Sequence, residues 1–363
     1  MIFRTLTFLS LIFLFGCTQQ PPLHTTKGKS HVRFAEHFDI RTNNRDTILI
    51  IKDPDNKVEE RYLLTNSKTK SKEGLKTLYM SGQRIVATSS TFIGMMSKLN
   101  MEDQITGVLN KAYVANAKVL AGIENGNIFE IGSLENIPLE KVVNMNSSLI
   151  LYSGFGTKLN NEDQLEKLGV ECLPIFDWKE KNPLGKAEWI LLYGFLSGKE
   201  DLAKEYIDQL EKRYNVLLKK DWKFYPTILA GNVYGDVWNT PSGESYVARM
   251  IQDAGGKYLF EDTKGTGSLL LSIEEVILRS DSAQIWLNPG YPSKSELLNI
   301  NPKAKFIRSF QNGNVFCYSH DMNRFWELSA IEPDKMLEDQ AKIFHGANLD
   351  SLYFYRRIIN DLE

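Results

Sequence analysis

Two stretches that match without a gap decide the fold: LEKVVNMNSSLILYSGFG (139–156) and IEEVILRSDSAQIWLNPG (273–290). Glu140 falls on Glu274, Val142 on Val276, Ser148 on Ser282 and Gly156 on Gly290, while Leu139/Ile273, Val143/Ile277 and Leu151/Ile285 are conservative. Each copy predicts a short helix, a polar turn, an apolar strand and a glycine-bearing loop. Upstream of each lies a second match, TFIGMM (91–96) on SYVARM (245–250), a helix start that follows an apolar strand, IVATSS in one half and TILAGNVY in the other. Each half therefore reads as strand, helix, strand, helix, strand, the alternation that produces a parallel sheet covered by helices.

Between the halves runs KEDLAKEYIDQLEKRYNVLLKK (199–220), in which Ala203, Tyr206, Ile207, Leu210, Tyr214, Leu217 and Leu218 fall on one helical face. At 1.5 Å per residue it makes a rod of roughly 33 Å, long enough to cross from one half to the other. A second helical run, GKAEWILLYGFLSG, precedes it and closes at Gly198. The expected fold is α/β: two Rossmann-like lobes joined by a single long α-helix, with a ligand cleft between them. The boundaries follow as an N-terminal lobe over 31–187, a helical connector over 188–220, and a C-terminal lobe with terminal helices over 221–363. Residues 31–76, with their polar DPDN turn, predict a β-hairpin added to the first lobe.

The 363 residues are 42% hydrophobic and 24% charged, with a formal net charge of −2, so two cores are affordable in apolar material. No block of Lys or Arg interleaves with aromatics, which sets nucleic acid aside. At the N-terminus Arg4 precedes LTFLSLIFLF, a run of signal-peptide length and too short to span a bilayer. It ends in LFGC, where Gly16 and Cys17 resemble a bacterial lipoprotein cleavage site. That resemblance implies a signal peptide over 1–16, cleavage before Cys17 and lipidation of its sulfur and new amino group. Residues 17–30 read as a polar tether. Cys172 and Cys317 sit in apolar strand contexts and are expected to be buried free thiols.

In an open α/β sheet, ligands bind outside the carboxyl ends of the strands. The stretch NVYGDVWNTPSGESY (232–246) follows the strand TILAG and precedes a helix that Ser242 can cap, so Tyr234, Trp238 and Tyr246 are expected at the lip of the second lobe. Ser90 and Phe92 occupy the matching lip of the first lobe, with Phe155 after its repeat strand and Trp178 in FDW (176–178). Arg324 and Trp326 come from YSHDMNRFWE (318–327). Rings at several strand ends would grip a large or aromatic ligand by stacking, with Arg324 available for anionic groups. Trp286, beside a strand's apolar core, reads as a core residue.

Export, two α/β lobes and one joining helix together resemble the helix-linked (class III) substrate-binding lipoproteins of ABC importers, which deliver ferric siderophores, cobalamin and haem. RIVATSSTFIGMMSKLNMEDQITGV (84–108) is similar to the family's opening, although Leu99-Asn100 replaces its Leu-Gly. PLEKVVNMNSSLILYSGF is similar to its element with Pro-Asp before the strand, here Ser147-Ser148, and NPLGKAEWI and DMNRFWELSAIEPDKMLEDQAKIFH resemble a subgroup. The likeness covers residues 78 to 348. It implies a binding protein with no catalytic residue, no cofactor and no metal site of its own. Its cargo would be a metal chelate, most often a ferric siderophore, with cobalamin or haem as alternatives. The implied partners are an ABC permease and ATPase, with Glu140 and Glu274 docking on the permease. The chain would be a monomer, anchored by lipid to a bacterial membrane and facing the periplasm.

Two rivals remain. An exported α/β enzyme is disfavoured because the chain has no G-x-S-x-G, H-E-x-x-H, P-loop or Rossmann glycine fingerprint. A bare-metal carrier would need converging ligands, and only His320 with Asp321 sits at a plausible strand end. For haem, Tyr113, Tyr234 or His320 could supply an axial ligand.

Overall fold

The computed structural model describes residues 28–67, 69–155 and 158–358, so the signal segment, Cys17 and tether residues 17–27 lie outside the described residues. The described chain begins with β1 (Lys29–Ser30), β2 (Phe38–Thr42), β3 (Thr47–Lys52), β4 (Glu59–Thr65) and β5 (Lys76–Tyr79). These form one sheet in chain order, antiparallel except for the parallel β4–β5 pair. The expected hairpin is thus a five-stranded sheet. Its middle strand is buried on both faces, Leu49 and Ile51 joining the main core while Ile48 and Ile50 pack with Leu63 in a small separate cluster. Two-sided burial produces an unbroken apolar run in place of alternation.

The first lobe contains β6 (Ile85–Ala87), α1 (Ser90–Lys98), β7 (Ile105–Val108), α2 (Ala117–Glu124), β8 (Phe129–Glu130), α3 (Leu139–Asn144), β9 (Leu149–Ser153), α4 (Glu162–Lys167) and β10 (Glu171–Ile175). Its sheet is parallel throughout, in the order β10-β9-β6-β7-β8. Next come α5 (Pro183–Glu188), α6 (Ile190–Ser197) and α7 (Glu200–Leu218). Asn182 caps α5 with Pro183 in its first turn, and Gly198, at φ +69°, ends α6 in the left-handed conformation expected of it.

The second lobe contains β11 (Thr227–Ala230), β12 (Asn232–Tyr234), β13 (Val237–Pro241), α8 (Tyr246–Asp253), β14 (Lys257–Tyr258), β15 (Ser268–Ser272), α9 (Ile273–Arg279), β16 (Ile285–Leu287), α10 (Lys294–Ile300), α11 (Arg308–Gln311), β17 (Val315–Cys317), α12 (Met322–Leu328), α13 (Pro333–His345) and β18 (Arg356–Arg357). Its main sheet runs β14-β11-β16-β17-β18, parallel up to β17 and antiparallel at β18. The orders β7-β6-β9-β10 and β14-β11-β16-β17 are the same arrangement built twice. The matched sequence segments occupy equivalent places in it, α3–β9 with α9–β16 and α1 with α8. In this order the chain reverses direction beside β6 and β11, and the crevice lies at those strands' carboxyl ends.

The rod is α7, 19 residues long. Ala203, Ile207, Leu210 and Tyr214 form its buried stripe, Tyr206 and Leu217 are half-buried, and Leu218 is exposed, off the face expected for it. Its N-terminal half lies on α6, where Ala203 faces Gly194. From Tyr206 onward it ties to the second lobe: the Tyr206 hydroxyl donates to Ile331 O (2.6 Å), Arg213 pairs with Asp334 (2.6 Å), and Tyr214 donates to Asp253 (2.8 Å). One contiguous core runs through both lobes.

Two buried glutamates fasten the five-stranded sheet to this connector. Glu188 accepts the backbone N–H groups of Arg33, Phe34 and Ala35 at 2.7–2.9 Å. Glu180 accepts those of Glu36 (2.8 Å) and His37 (3.0 Å) and the Trp189 indole N–H (3.0 Å). Five orphan donors on an irregular segment thereby find acceptors without leaving the interior. Burial pushes the Glu180 carboxyl up to about 7 against the pull of those donors.

Candidate functional site

The elements that leave the carboxyl ends of both sheets meet one another. On one side, α12 from the second lobe lies across α1 of the first. Thr91 Oγ1 donates to Trp326 O (3.3 Å), the Asn323 amide donates to Ala112 O (2.7 Å), and the Glu327 carboxylate accepts the N–H groups of Ala115 (2.5 Å) and Asn116 (3.0 Å). On the other side, Lys186 of α5 reaches between the end of β10 and the start of α8. Its Nζ stands 4.3 Å from the centroid of the Tyr246 ring. These two bridges join the carboxyl ends of the two sheets.

The first lobe's lip carries Ser90 at the first position of α1, half-buried, its hydroxyl donating to Tyr113 O (2.7 Å). Ser90 and Tyr113 line a cavity of about 200 Å³ with Thr88, Ser89, Val108 and Asn110, at the ends of β6 and β7. Farther along, Phe155 is 64% exposed and its ring lies 5.1 Å from that of Trp178. The Trp178 indole donates to Gly154 O (3.1 Å), which fixes the half-buried ring at the lip. Behind it, a cavity of about 160 Å³ opens between Tyr152, Gly154 and Phe176 and the β3–β4 segment with Ile51 and Val58. Asp55 of that segment pairs with Lys179 (2.9 Å), so the added sheet reaches the lip as well.

The second lobe departs from expectation in an informative way. The segment taken for a ring-bearing loop is a strand ribbon, β12 and β13, extended by β15 into a three-stranded antiparallel sheet. Strand alternation then separates the rings. Tyr234 pairs with Val237 on the open face and is 79% exposed, whereas Trp238 pairs with Val233 on the inner face and is fully buried. The Trp238 indole donates to Ala230 O (3.0 Å) and its ring lies 5.0 Å from Trp286, itself buried as expected. Trp238 is therefore a core residue and lines no cleft. Phe92 is corrected likewise: it is fully buried among Ile93, Met95 and Met96 on the inner face of α1. The cap of α8 is Ser245, accepting from Ala248 N (3.2 Å), while Ser242 is buried upstream.

Arg324 is half-buried and lines a cavity of about 470 Å³ with Asn116, Asp321 and Glu327, while its guanidinium lies 4.2 Å from the Tyr353 ring centroid and donates to Tyr353 O (3.0 Å), which ties it to the C-terminal segment. Trp326 stays at the mouth, 43% exposed and edge-on to Tyr318 at 5.7 Å. Tyr246 is half-buried at the first position of α8.

Several polar residues not anticipated are buried. Lys186 is 8% exposed and Asp177 4%, and the Tyr193 hydroxyl is buried without a hydrogen-bond partner among the described residues. Burial works against the Lys186 ammonium, yet Tyr246 and Asp177 outweigh it and hold the pKa above the ordinary lysine value. Asn288, left-handed at φ +63° just past β16, has a buried Oδ1 with no partner among the described residues. The signal for Lys186 was present in the sequence, where it and Glu188 are the two charges inside the largely apolar run NPLGKAEWILLY.

Glu140 is exposed in the first turn of α3. Glu274 is exposed in the first turn of α9 and pairs with Lys303 (2.6 Å), which also holds Asp236 (2.7 Å). Cys172 and Cys317 are buried free thiols. No group of three or more His, Cys, Asp or Glu suited to a metal ion occurs among the described residues, His320 and Asp321 included, and none of their helices is long and apolar enough to cross a membrane.

Comparison with known proteins agrees with this geometry. An uncharacterised lipoprotein of Methanocaldococcus jannaschii is 28% identical over 306 residues, covering 79% of this chain and 72% of that protein. The fold is similar to a periplasmic haem-binding protein of Pseudomonas aeruginosa, with a TM-score of 0.59 at 16% identity over 77% of this chain and 98% of that one. It is also similar to a protein of an ABC-type Fe3+-hydroxamate transport system from Saccharomonospora viridis, with a TM-score of 0.54 at 18% identity over 74% of this chain and 94% of that one. The periplasmic binding protein family matches residues 85–321. With two like lobes, one joining helix and a match over most of its length, the chain belongs to the periplasmic binding proteins that serve ABC transporters, in their helix-linked form.

Proposed function

We propose that the protein captures a ferric siderophore between the carboxyl edges of its two sheets and hands it to an ABC permease. The observation that carries this reading is the meeting of those edges beside rings, exposed Phe155 packed on half-buried Trp178 on one lip and exposed Trp326 on the other. Stacking surfaces beside a few directed polar groups suit a bulky organic chelate better than a naked ion. The ligands named for the two solved relatives, haem and an Fe3+-hydroxamate, belong to the same chemical class. Haem is the second reading, favoured by Tyr113, whose ring is exposed beside the first lobe's cavity and could offer an axial phenolate. The binding wall consists of Ser90, Tyr113, Phe155, Trp178, Tyr246 and Trp326, with Tyr234 at the outer rim.

Glu140 and Glu274 dock the loaded protein on the permease, one from each lobe. Lipid on Cys17 holds the monomer at a bacterial membrane with its lobes in the periplasm. The test is native mass spectrometry with an absorbance spectrum on protein purified from its own host. A bound chelate of defined mass with a visible band is expected. Colourless protein that takes up no ferric trihydroxamate, ferric catecholate, haem or cobalamin on titration rejects the reading.

A further inference from the structure

The family match begins at residue 85, so the five strands β1–β5 lie outside it, and the role of the added sheet lies in what it touches. It touches the first lobe's lip. Asp55, in the turn between β3 and β4, pairs with Lys179 (2.9 Å), and the same ammonium stands 4.5 Å from the centroid of the Trp178 ring. Glu180 and Glu188 hold the segment that leads into β2, so the sheet is fixed against the lobe.

Sheet and lobe enclose the cavity of about 160 Å³ between them. From the lobe come Tyr152, Gly154 and Phe176, at the carboxyl ends of β9 and β10, where an open α/β sheet binds its ligands; from the sheet come Ile51 and Val58. The deep wall is dry, since Ile51, Tyr152 and Phe176 are buried, while Val58 at the mouth is 51% exposed. A Cβ on Gly154 would stand 2.4 Å from the Phe176 ring, so glycine is what lets that ring pack where it forms the wall. Gly154 also accepts the Trp178 indole N–H, which makes the cavity continuous with the ring pair of Trp178 and Phe155.

The charged groups around the cavity are already engaged. Asp53 accepts the N–H groups of Asp55 (2.8 Å) and Asn56 (3.0 Å), and Glu60 accepts the Tyr62 hydroxyl. Lys158 pairs with Glu162 (3.4 Å), whose carboxylate also accepts the Tyr152 hydroxyl (3.2 Å). The surface left to a ligand is mainly apolar. An apolar cavity of about 150 Å³ is large enough to take up benzene. A charged or strongly polar group would lose its water here without gaining a partner.

We propose that the added sheet completes a subsite for one uncharged apolar arm of the cargo, a single aromatic ring or a branched aliphatic group of like size, inserted between Val58 and Phe176. This rests on the chelate reading of the lips and goes further, assigning part of the specificity to strands outside the matched family.

The experiment titrates wild type and Val58→Trp with two uncharged ferric trihydroxamates that differ in one arm only, a methyl group in the first and a phenyl ring in the second, and follows the thermal unfolding of both proteins. Because a ring leaves water, wild type is expected to bind the phenyl probe at least about tenfold more tightly than the methyl probe. Val58→Trp fills the cavity from its exposed mouth and should bring the two affinities together. Equal affinities in wild type overturn the proposal and leave the chelate reading intact, as does a phenyl preference that survives in folded Val58→Trp. Should Val58→Trp not fold, nuclear Overhauser contacts in wild type between the gallium(III) form of the phenyl probe and the methyl groups of Ile51 and Val58 decide: their presence supports the subsite and their absence overturns it. Refusal of both trihydroxamates by wild type overturns it as well; joined by refusal of ferric catecholate, haem and cobalamin, it removes the chelate reading itself.

Discussion

Gly94 of α1 is pressed against the carbonyl oxygen of Glu327 in α12: a Cβ at Gly94 would stand 1.8 Å from it. Two helices from different lobes thus touch backbone to backbone, which only glycine permits. Gly94→Ala must push α12 away, and a loss of about 1–3 kcal/mol is expected in chemical denaturation, the usual cost of overpacking. An unshifted midpoint would mean that this contact is not made in solution.

With α12 bridging one side and α7 the other, the lobes have little freedom to close. Small-angle scattering with and without a bound chelate should give nearly superimposable profiles for wild type. A large contraction on loading would contradict a doubly bridged molecule.

The tryptophans separate packing from binding. Trp238→Ala should cost about 3–5 kcal/mol of stability, since it empties a core position and removes one of the two donors, with Thr240, on the Ala230 carbonyl. Trp326→Ala should leave stability nearly unchanged and weaken chelate binding by about 1 kcal/mol, measured by fluorescence or calorimetric titration. Equal effects on stability at both sites would refute the assignment.

Glu180 makes stability depend on pH. Its folded pKa, about 7, stands above the ordinary 4.5, so the native state holds a proton that the unfolded chain releases. The contribution is complete below pH 4.5 and is lost as pH rises through 7, on the order of 1–3 kcal/mol. Denaturation midpoints from pH 5 to about pH 8 should fall more steeply for wild type than for Glu180→Gln. Parallel curves would show that Glu180 is charged throughout.

Docking and capture should be separable. Replacing Glu140 and Glu274 together by Arg is expected to abolish uptake in cells and leave chelate affinity unchanged. Because Lys303 holds Glu274 at 2.6 Å, Lys303→Ala should leave affinity unchanged too and strengthen association with reconstituted permease. Loss of affinity in the double variant would move both glutamates out of the docking role.

Much of the architecture was legible because periodicity and repetition are local properties. The duplicated helix–strand segments at 139 and 273, the stripe Ala203–Ile207–Leu210–Tyr214 and the stop at Gly198 could each be read in order along the chain, and each stands where that reading put it. The rings were less legible, because a ring's role depends on which way its strand faces. Tyr234 and Trp238 look alike in a loop, but pairing of β12 with β13 sends one outward and the other into the core. The contact of Arg324 with the distant Tyr353 could not be read from the chain either.

The sequence alone therefore determined that there are two like α/β halves and a rod between them, since hydrophobic spacing dictates helix and strand before any long-range contact forms. Only the tertiary structure decided which side chains meet between the lobes. Asp177, Lys186 and Tyr246 come from three elements of the chain, and a buried charge finds its neighbours, or goes without them, only when those elements pack.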